Sequence, residues 1–520
     1  METTYRRFPI GIQNFEQLRN NNCVYIDKTE LIYKLTHTAF VCFLNRPPKF
    51  GKSLLTSTIE AYFLGKRKLF EGLAIEKLEK EWTEYPVIRL AFDNNVSWNV
   101  EVLQMAIESQ LSIWEKKYGI ETNLSHSVSN RFTEILRQLN ESTGKKVVFL
   151  VDGYDIPMWQ QKNLLIRKEL RDVLSQIFRP IKGCGKYLNF VFITGLSALD
   201  RSDMTGELNN LQNISMRDEY SALCGITEKE LLTDLQPDIQ RMADANNETY
   251  EEACAHLKKQ YDGYHFSKNS EDIYNPFSLF NALNAKKYKN YWFSTGTPTF
   301  LIELLQNVQF DVRMMDGMTA MDDQFDAPTE VITDPIPVLY QSGYLTIKSF
   351  DPMFKTYTLA YPNSEVRYGF TEALLPRYVH RFPRENTFYI VSFLQDLMKG
   401  DIESCLERTR SFFASIPHDL ENKTEKHYQT IFYLLFRLMG QYVDVEVKSA
   451  IGRADVVLKL SDAIYVFEFK FDGTPDEALA QIESKNYAIP YQLDGRRIVK
   501  IGVNFDSATR TIGEWKIVIS

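Results

Sequence analysis

The chain has 520 residues, of which 44% are hydrophobic and 25% are charged, and its formal net charge is −8 at pH 7. This is the composition of a globular protein with room for roughly two to four domains. The negative net charge gives no overall attraction to nucleic acid, so any such contact has to come from a local patch of basic residues. Because no apolar run reaches membrane-spanning length and residues 1–20 lack a signal-peptide core, we expect a cytoplasmic protein without membrane contact.

Cysteine and histidine show no metal-binding pattern. The 6 cysteines are scattered without a CxxC pair, and the 7 histidines form no HxxxH or HExxH cluster. We therefore interpret the cysteines as reduced packing residues and expect no zinc site.

The first chemical signal in chain order is a loop that follows a short apolar strand. A lead-in loop at 8–18 and a helix at 25–35 are predicted first, and the strand covers residues 40–44. The loop at 45–55 reads NRPPKFGKSLL, and residues 54–63 have the apolar spacing of a helix. A strand, a tight loop and a helix with Gly-Lys-Ser at the junction are the layout of a phosphate-binding loop.

Each residue of this tripeptide suits a phosphate. Gly51 lets the backbone approach closely, Lys52 can reach the β- and γ-phosphates, and the Ser53 hydroxyl can bind Mg²⁺. The loop departs from the general pattern, because Arg46 stands where glycine is expected and the next two residues are prolines without an amide donor. The alternative is an ordinary strand-to-helix turn with a surface lysine.

Two further strands are predicted to end in residues that complete this site. Residues 147–151 are all apolar, which indicates a strand buried on both faces of a parallel sheet. Asp152 follows it, at the position that binds Mg²⁺ in P-loop NTPases, although a turn aspartate is the alternative. Residues 187–194 form another buried strand, and Thr194 at its end either touches the γ-phosphate or the attacking water, or caps the strand.

The middle of the chain is predicted to be mostly helical and winged-helix-like, with a helix end and a short β-element at 338–347 and a second strand at 356–361. Its aromatic turn at 261–267 is assigned to packing at a domain junction rather than to nucleic-acid stacking. Residues 311–334 are acidic and loop-like, so we expect a linker or insert there.

The last part of the chain is β-rich and combines acidic residues with a lysine. Helices are predicted at 393–413 and 424–439, and a β-hairpin then carries Asp455 on one strand and Glu468 and Lys470 on the next. Residues two apart on a strand share a face, so the three side chains can meet. Two neighbouring carboxylates repel each other unless a cation lies between them.

A divalent metal bound by Asp455, Glu468 and the Phe469 carbonyl would remove this repulsion and lower the pKa of a bound water. Lys470 could hold that water or stabilise developing charge. The alternative is a cross-strand salt bridge on a solvated sheet face. Against it, the strand is almost wholly apolar around Glu468, and a buried carboxylate needs a partner or a metal. Gln481 on the following helix is expected to face a phosphate backbone.

Together these stretches resemble one bacterial family, whose proteins combine an N-terminal AAA-ATPase-like domain with a C-terminal PD-(D/E)xK nuclease-superfamily domain. The resemblance runs over nearly the whole chain and is carried by residues 8–12, 25–29, 46–53, 152–157, 261–267, 291–300, 452–470 and 501–505. The phosphate loop that begins with Arg46 is unusual in general but is found in this family.

The resemblance implies an α/β fold in three parts: a P-loop NTPase domain with a parallel sheet at 1–225, a mostly helical middle domain at 226–380, and an α/β restriction-endonuclease-like domain at 381–520. The implied nucleotide site consists of Arg46, Phe50, Gly51, Lys52, Ser53, Leu54, Asp152 and Thr194. The implied nuclease centre consists of Asp455, Glu468, Lys470 and Gln481. ATP and Mg²⁺ are the expected cofactors, and the expected metal ligands are Ser53, Asp152, Asp455, Glu468 and Glu425.

The chain departs from the family at one position. The family usually has Asp-Glu-Tyr-Asp after the strand of Asp152, with the glutamate activating water, but here Gly153 replaces the glutamate. Loss of a general base typically slows a reaction by about a hundred- to ten-thousand-fold. We therefore expect ATP binding with slow hydrolysis, unless Asp155 or a second subunit substitutes.

The sequence thus leads to two hypotheses. The first is an ATP-binding, metal-dependent nuclease in which ATP regulates cleavage of nucleic acid, with DNA preferred over RNA as the substrate. The second is a nucleotide-gated switch or interaction protein whose nuclease fold binds nucleic acid without cutting it. Assembly into homo-oligomers stays open, because ATPases of this class often assemble.

Overall fold

The computed structural model describes residues 6–519 except 93–95, 124, 160, 162, 200–210, 294–298, 326–333, 380–382, 417–424, 441–443 and 448–454. At residues 299–300, 383–388, 425–426 and 444–447 it describes the backbone alone. The described chain forms two compact units, one of Met1–Thr295 and Gly317–Glu365 and the other of Gly296–Asp316 and Val366–Ser520.

Helices and strands alternate along most of the chain. The strands are β1 (Val41–Asn45), β2 (Val87–Ala91), β3 (Val147–Asp152), β4 (Leu188–Gly195), β5 (Gln212–Asn213), β6 (Ile226–Thr227), β7 (Ile273–Tyr274), β8 (Met318–Ala320), β9 (Thr346–Asp351), β10 (Thr356–Ala360), β11 (Asp444–Val447), β12 (Val456–Lys459), β13 (Ala463–Phe471), β14 (Arg497–Asp506) and β15 (Thr511–Ile519). The helices are α1 (Phe15–Asn20), α2 (Thr29–Thr38), α3 (Lys52–Phe63), α4 (Ala74–Leu78), α5 (Val100–Tyr118), α6 (Val128–Thr143), α7 (Ile156–Trp159), α8 (Leu164–Gly183), α9 (Glu228–Asp234), α10 (Gln236–Asn246), α11 (Tyr250–Tyr261), α12 (Pro276–Ala285), α13 (Thr299–Asn307), α14 (Asp322–Phe325), α15 (Ile336–Gln341), α16 (Ser364–Val379), α17 (Pro383–Met398), α18 (Ile402–Ala414), α19 (Glu425–Met439) and α20 (Pro475–Ser484).

A parallel sheet organises the first unit. Its strand order is β2-β3-β4-β1-β5, and each neighbouring pair runs parallel. Parallel strands need helical crossovers, and the apolar faces of α5, α6 and α8 bury one side of the sheet. Because all carboxyl ends of a parallel sheet meet at one edge, Asn45, Asp152 and Thr194 come together there.

The rest of the first unit is built from small elements. Helices α9 to α12 share a buried apolar cluster with the β6–β7 ladder. Strands β8, β10 and β9 form an antiparallel sheet in that order. A loop-like linker or insert was expected at 311–334, and the loop-like character is wrong at residues 318–320 and 322–325, because they form β8 and α14.

The second unit contains a mixed sheet. Its strand order is β11-β12-β13-β14-β15, with β13 and β14 parallel and the other pairs antiparallel. Phenylalanine rings of α19 and β13 pack together, with centroids of Phe432 and Phe469 4.5 Å apart. The single helix expected at 393–413 is wrong: Gly400 has φ of +73°, and Asp401 caps α18, so α17 and α18 are separate.

The predicted fold class is confirmed: the protein is α/β, with an N-terminal parallel sheet, a helical middle part and a C-terminal sheet domain. The division into three domains at 225 and 380 stays a prediction. None of the described helices combines the length and the apolar character needed to cross a bilayer.

Candidate functional site

The phosphate loop connects β1 to α3. Its last residue, Gly51, has φ of +90°, a conformation that L side chains rarely adopt, so the backbone itself requires glycine here. No side chain caps the N-terminus of α3. The first amides of α3 are therefore available to an anion at the positive end of the helix dipole.

Lys52 is folded back onto this loop. Its Nζ donates to the carbonyl oxygens of Arg46 at 2.6 Å and Pro47 at 3.0 Å. Burial lowers the pKa of Lys52 to about 8, against the opposing effect of Asp155 and Asp152. A phosphate would offer the buried ammonium an anionic acceptor, which a carbonyl oxygen cannot match.

The predicted magnesium ligands lie next to each other. The Ser53 hydroxyl donates to Asp152 Oδ1 at 3.1 Å, and the Thr194 hydroxyl lies 3.2 Å from the same oxygen. The Gly153 amide donates to Thr194 Oγ1 at 3.3 Å. Hydroxyl and carboxylate oxygens are the ligands that Mg²⁺ prefers, so this set fits the ion.

Arg46 and Phe50 hold the loop in place. The buried Arg46 guanidinium donates to three backbone carbonyl oxygens, at 2.9, 2.8 and 3.2 Å. The Phe50 ring packs edge-on against Tyr264 and Phe266, with centroid distances of 4.8 and 5.4 Å. These side chains anchor the loop to its surroundings, and their role as direct nucleotide ligands stays a prediction.

A cavity of about 520 Å³, counted with its open mouth, lies beside Gly51 and Leu54. Its walls are mostly apolar and include Pro9, Val24, Ile26, Leu55, Leu223, Ile226, Pro276 and Phe280. Lys28 also lines it and pairs with Glu230 at 2.5 Å. An apolar cavity next to a phosphate loop suits a flat heteroaromatic base.

Gly153 has no side chain that could act as a general base, and the nearby Asp155 carboxylate is engaged by the loop after β4. Gly153 has φ of +71°, and a Cβ there would lie 2.4 Å from Ile156 Cδ1. Asp155 is buried, and its carboxylate accepts from the amides of Leu196 and Ser197 and from the Ser197 hydroxyl. Burial raises the pKa of Asp155, and these bonds oppose the rise. The carboxylate thus holds the loop after β4.

Arg89 is a charged residue at this site that the sequence interpretation missed. It lies in the middle of β2, and its guanidinium pairs with Asp152 Oδ2 at 2.8 Å and with Glu60 Oε2 at 3.0 Å. A signal was present in the sequence: a single cation inside an otherwise apolar strand. That this strand lies next to the strand of Asp152 is shown by the structure. Such a cation needs a buried partner.

The second site lies on the sheet of the second unit. Val456, the first residue of β12, pairs with Phe467 in antiparallel register. Asp455, directly before β12, therefore lies opposite Glu468. The Phe469 amide donates to Asp455 Oδ2 at 2.9 Å. Lys470 Nζ lies 3.3 Å from Glu468 Oε1. The structure therefore brings the predicted aspartate, glutamate and lysine together.

The Glu468 carboxylate is buried, and only one of its two oxygens has a hydrogen-bond partner among the described residues. Its residue is 2% exposed, and its Oε2 has no hydrogen-bond partner among the described residues. Burial raises the pKa of Glu468 to about 7, with a further contribution from Asp455 and an opposing one from Lys470. Burial also raises the pKa of Asp455. A buried carboxylate oxygen without a donor, facing a second carboxylate, is what a divalent cation would satisfy.

The two carboxylates therefore fit a divalent metal, and the described residues show no third acidic ligand beside them. The described residues include no group of three or more histidine, cysteine, aspartate or glutamate side chains placed to hold a metal ion. The side chain of Glu425, the predicted additional ligand, lies outside the described part of the chain. Its role and that of the Phe469 carbonyl stay predictions.

Gln481 reaches the lysine because α20 lies unusually close to the sheet. A Cβ at Gly502 on β14 would lie 2.3 Å from the Pro475 carbonyl oxygen, so only glycine permits this approach. Gln481 Oε1 then accepts from Lys470 Nζ, and its Nε2 donates to the Tyr487 hydroxyl at 3.1 Å. Since an ammonium can only donate, Lys470 fixes the orientation of the Gln481 amide. Tyr487 is a further contact that the sequence interpretation missed.

Comparison with known proteins assigns a family to each of the two regions of the chain that contain these sites. Residues 9–205 match the family described as Predicted AAA-ATPase, and residues 423–515 match the PD-(D/E)XK nuclease superfamily. A protein of Azotobacter chroococcum mcd 1, designated the uncharacterized protein in the vnfD 5′ region, is 32% identical over 521 residues, which cover 98% of each chain. The protein belongs to the AAA-ATPase-like family with a C-terminal PD-(D/E)XK domain.

Two solved structures were also matched to this AAA-ATPase-like protein. The ORC1 protein of Aeropyrum pernix in complex with DNA is 9% identical, with 67% of this chain and 93% of that chain covered and a TM-score of 0.23. CDC6P of Pyrobaculum aerophilum is 12% identical, with 72% and 97% covered and a TM-score of 0.20. Scores of this size carry no conclusion about ligands, and the DNA belongs to the Aeropyrum structure.

Proposed function

We propose that the protein is an ATP-binding, metal-dependent nuclease in which nucleotide binding controls cleavage of nucleic acid. One observation carries the proposal. Glu468 is a buried carboxylate, one oxygen of which has no hydrogen-bond partner in the described part of the chain; it faces Asp455, and Lys470 lies against its other oxygen. A purely structural salt bridge would leave neither an orphaned oxygen nor two repelling acids.

Asp455 and Glu468 would hold the metal ion, which when bound polarises the phosphodiester and acidifies a coordinated water. Lys470 keeps a positive charge beside Glu468 and is positioned to stabilise charge that develops on the phosphate. Gln481 keeps the lysine in place through its carbonyl oxygen. The raised pKa of Glu468 means that protonation competes with metal at neutral pH, so cleavage should increase as the pH rises through about 7.

In the N-terminal site, the α3 amides and Lys52 would bind the phosphates of ATP, and the adjacent apolar cavity would bind the base. Ser53 and Asp152 supply the oxygen ligands for Mg²⁺. Gly153 offers no base, and the Asp155 carboxylate is engaged by backbone amides, so ATP is expected to bind and to be hydrolysed slowly. Nucleotide then acts as a switch, which requires unequal affinity for two conformations.

The test is cleavage of single- and double-stranded DNA and RNA by the full chain, with and without ATP and Mg²⁺. Wild type should cleave DNA with Mg²⁺, and ATP should change the rate. Asp455→Ala and Lys470→Ala should lose the activity, whereas Glu483→Gln, which removes an exposed ion pair with Lys500, should retain it. Cleavage by Asp455→Ala at the wild-type rate, with contamination excluded, would refute the assignment.

The absence of the usual glutamate at Gly153 favours a second candidate. In this case the protein is a nucleotide-gated switch whose nuclease fold binds nucleic acid and does not cut it. The same experiment separates the two, because this candidate predicts retention of DNA in a binding assay with no cleavage in Mg²⁺ or Mn²⁺.

A further inference from the structure

The lysine of the candidate nuclease site is held by two polar contacts. Lys470 Nζ lies 3.3 Å from Glu468 Oε1, which is long for a hydrogen bond, and it also donates to Gln481 Oε1. Lysine and glutamine side chains have many rotamers, and both of these residues are partly exposed. The position of the ammonium group therefore depends on what holds Gln481.

Tyr487 holds Gln481 from the other side. Gln481 Nε2 donates to the Tyr487 hydroxyl oxygen at 3.1 Å. Because Lys470 can only donate, the carbonyl oxygen of the glutamine has to face the lysine, and its NH₂ group faces the tyrosine. The three side chains thus form a row of hydrogen bonds that all run in one direction, from the lysine through the glutamine to the tyrosine oxygen.

The tyrosine is the rigid end of this row. Its residue is 7% exposed, and its ring packs in an apolar cluster that includes Val466 and Ile482. Its amide donates to the Ile482 carbonyl oxygen at 3.1 Å, directly after Asn486, which has φ of +57° and ends α20 in the left-handed conformation. The helix end and the apolar cluster therefore fix the hydroxyl to which the two longer side chains are attached.

The charge of the lysine strengthens the row. An ammonium that donates to the glutamine carbonyl polarises the amide, which makes the NH₂ group a better donor to the tyrosine. Without the tyrosine oxygen, this NH₂ group has no acceptor among the described residues, and the glutamine side chain can turn away from the lysine. Lys470 would then keep only its long contact with Glu468.

We propose that Tyr487 is a positioning residue of the nuclease site, which holds Gln481 and, through it, the charge of Lys470 beside the two carboxylates. The inference rests on the proposed nuclease function and adds a residue to it. Since Lys470 is expected to stabilise charge that develops during the reaction, loss of the Tyr487 hydroxyl should affect the transition state more than the binding of DNA.

The test is steady-state cleavage of DNA in Mg²⁺ by the full chain, with kcat and KM measured separately. Tyr487→Phe keeps the ring and removes only the hydroxyl, so kcat should fall by about tenfold while KM changes by less than about twofold. The matched control is Tyr465→Phe on the same sheet, which removes a hydroxyl that donates to the Leu397 carbonyl oxygen at 3.1 Å. This control should cleave DNA as wild type does.

A double variant separates action through the row from an independent effect. Gln481→Ala already removes the link between the lysine and the tyrosine, so adding Tyr487→Phe should lower kcat by less than about twofold more. A further loss of about tenfold would overturn the inference, because Tyr487 would then act independently of Gln481. If Tyr487→Phe does not fold, 3-fluorotyrosine at residue 487 replaces it, since its oxygen is a weaker acceptor, and kcat should fall by a smaller factor.

The outcomes also separate this inference from the proposed function. If wild type cleaves no nucleic acid, the proposed function fails and the role of Tyr487 fails with it. If wild type cleaves DNA and Tyr487→Phe has the same kcat, or loses activity through KM alone, only the role of Tyr487 is overturned.

Discussion

Replacement of Glu468 by glutamine should stabilise the metal-free protein at alkaline pH while it abolishes cleavage. Burial and the adjacent Asp455 raise the pKa of Glu468 from 4.5 to about 7. Between these two pH values the folded protein holds a proton that the unfolded chain has released, so stability falls as the pH rises through this range. Above about pH 7 the folded protein carries the full free-energy cost of ionising the buried Glu468, which is about 3 kcal/mol.

Glutamine has nearly the same shape and cannot ionise, so the variant avoids this cost. The favourable effect of Lys470 on the carboxylate is already contained in this pKa, so the expected gain in stability is roughly 2–3 kcal/mol. For a unit of this size the gain corresponds to a rise in Tm on the order of 5 °C.

Thermal unfolding of the full chain in EDTA, at about pH 5.5 and about pH 8, measures the effect. Wild type should lose stability at the higher pH relative to Glu468→Gln, and Mg²⁺ should restore it in wild type alone. The control Glu483→Gln changes an exposed acid on the same unit and should follow wild type. Identical pH dependence in wild type and Glu468→Gln would refute the view that this carboxylate is destabilised until a metal binds.

Three further predictions concern other residues. Because burial lowers the pKa of Lys52 to about 8 and a phosphate favours its charged form, ATP binding should take up protons and weaken above that pH, as measured by calorimetry. Gly153→Glu combined with Ile156→Ala should raise ATP turnover above that of wild type, measured as phosphate release, and the φ of +71° at residue 153, which strains any side chain, should limit the gain. Gly502→Ala should lower DNA cleavage by at least about tenfold, because it displaces the helix that carries Gln481.

Each of these has a result that would contradict it. An ATP affinity that is constant between about pH 7 and about pH 9 would show that Lys52 does not meet the phosphates. Rapid hydrolysis by wild type, unchanged in the glutamate variant, would show that Gly153 is not a missing base. Full cleavage by a folded Gly502→Ala protein would show that the position of Gln481 is unimportant.

The sequence was sufficient to predict those parts of the sites that follow directly from the pattern of a strand. The apolar runs before Asn45 and Asp152 predict buried parallel strands, and the parallel sheet then places Ser53, Asp152 and Thr194 at one edge. Likewise, the two-residue period of a strand was enough to bring Glu468 and Lys470 onto one face.

The sequence was insufficient where a side chain acts through distant contacts. Arg46 is predicted as a nucleotide ligand from its position in the loop, and the sequence does not reveal that its guanidinium also donates to backbone carbonyls, two of them more than 160 residues later. The pairing of Arg89 with Asp152 depends on strand order in the sheet, which the sequence does not display. From the sequence alone, Gly153 indicates only the loss of a catalytic base. The structure adds a second reason for glycine, because the backbone at residue 153 has a φ of +71°.

Magnesium-dependent cleavage of plasmid DNA by wild type and Lys470→Ala, each assayed with and without ATP, tests the central claim most directly. The account predicts cleavage by wild type that depends on Mg²⁺ and changes with ATP, and none by Lys470→Ala. Equal cleavage by both proteins, or none by wild type under any of these conditions, would contradict it.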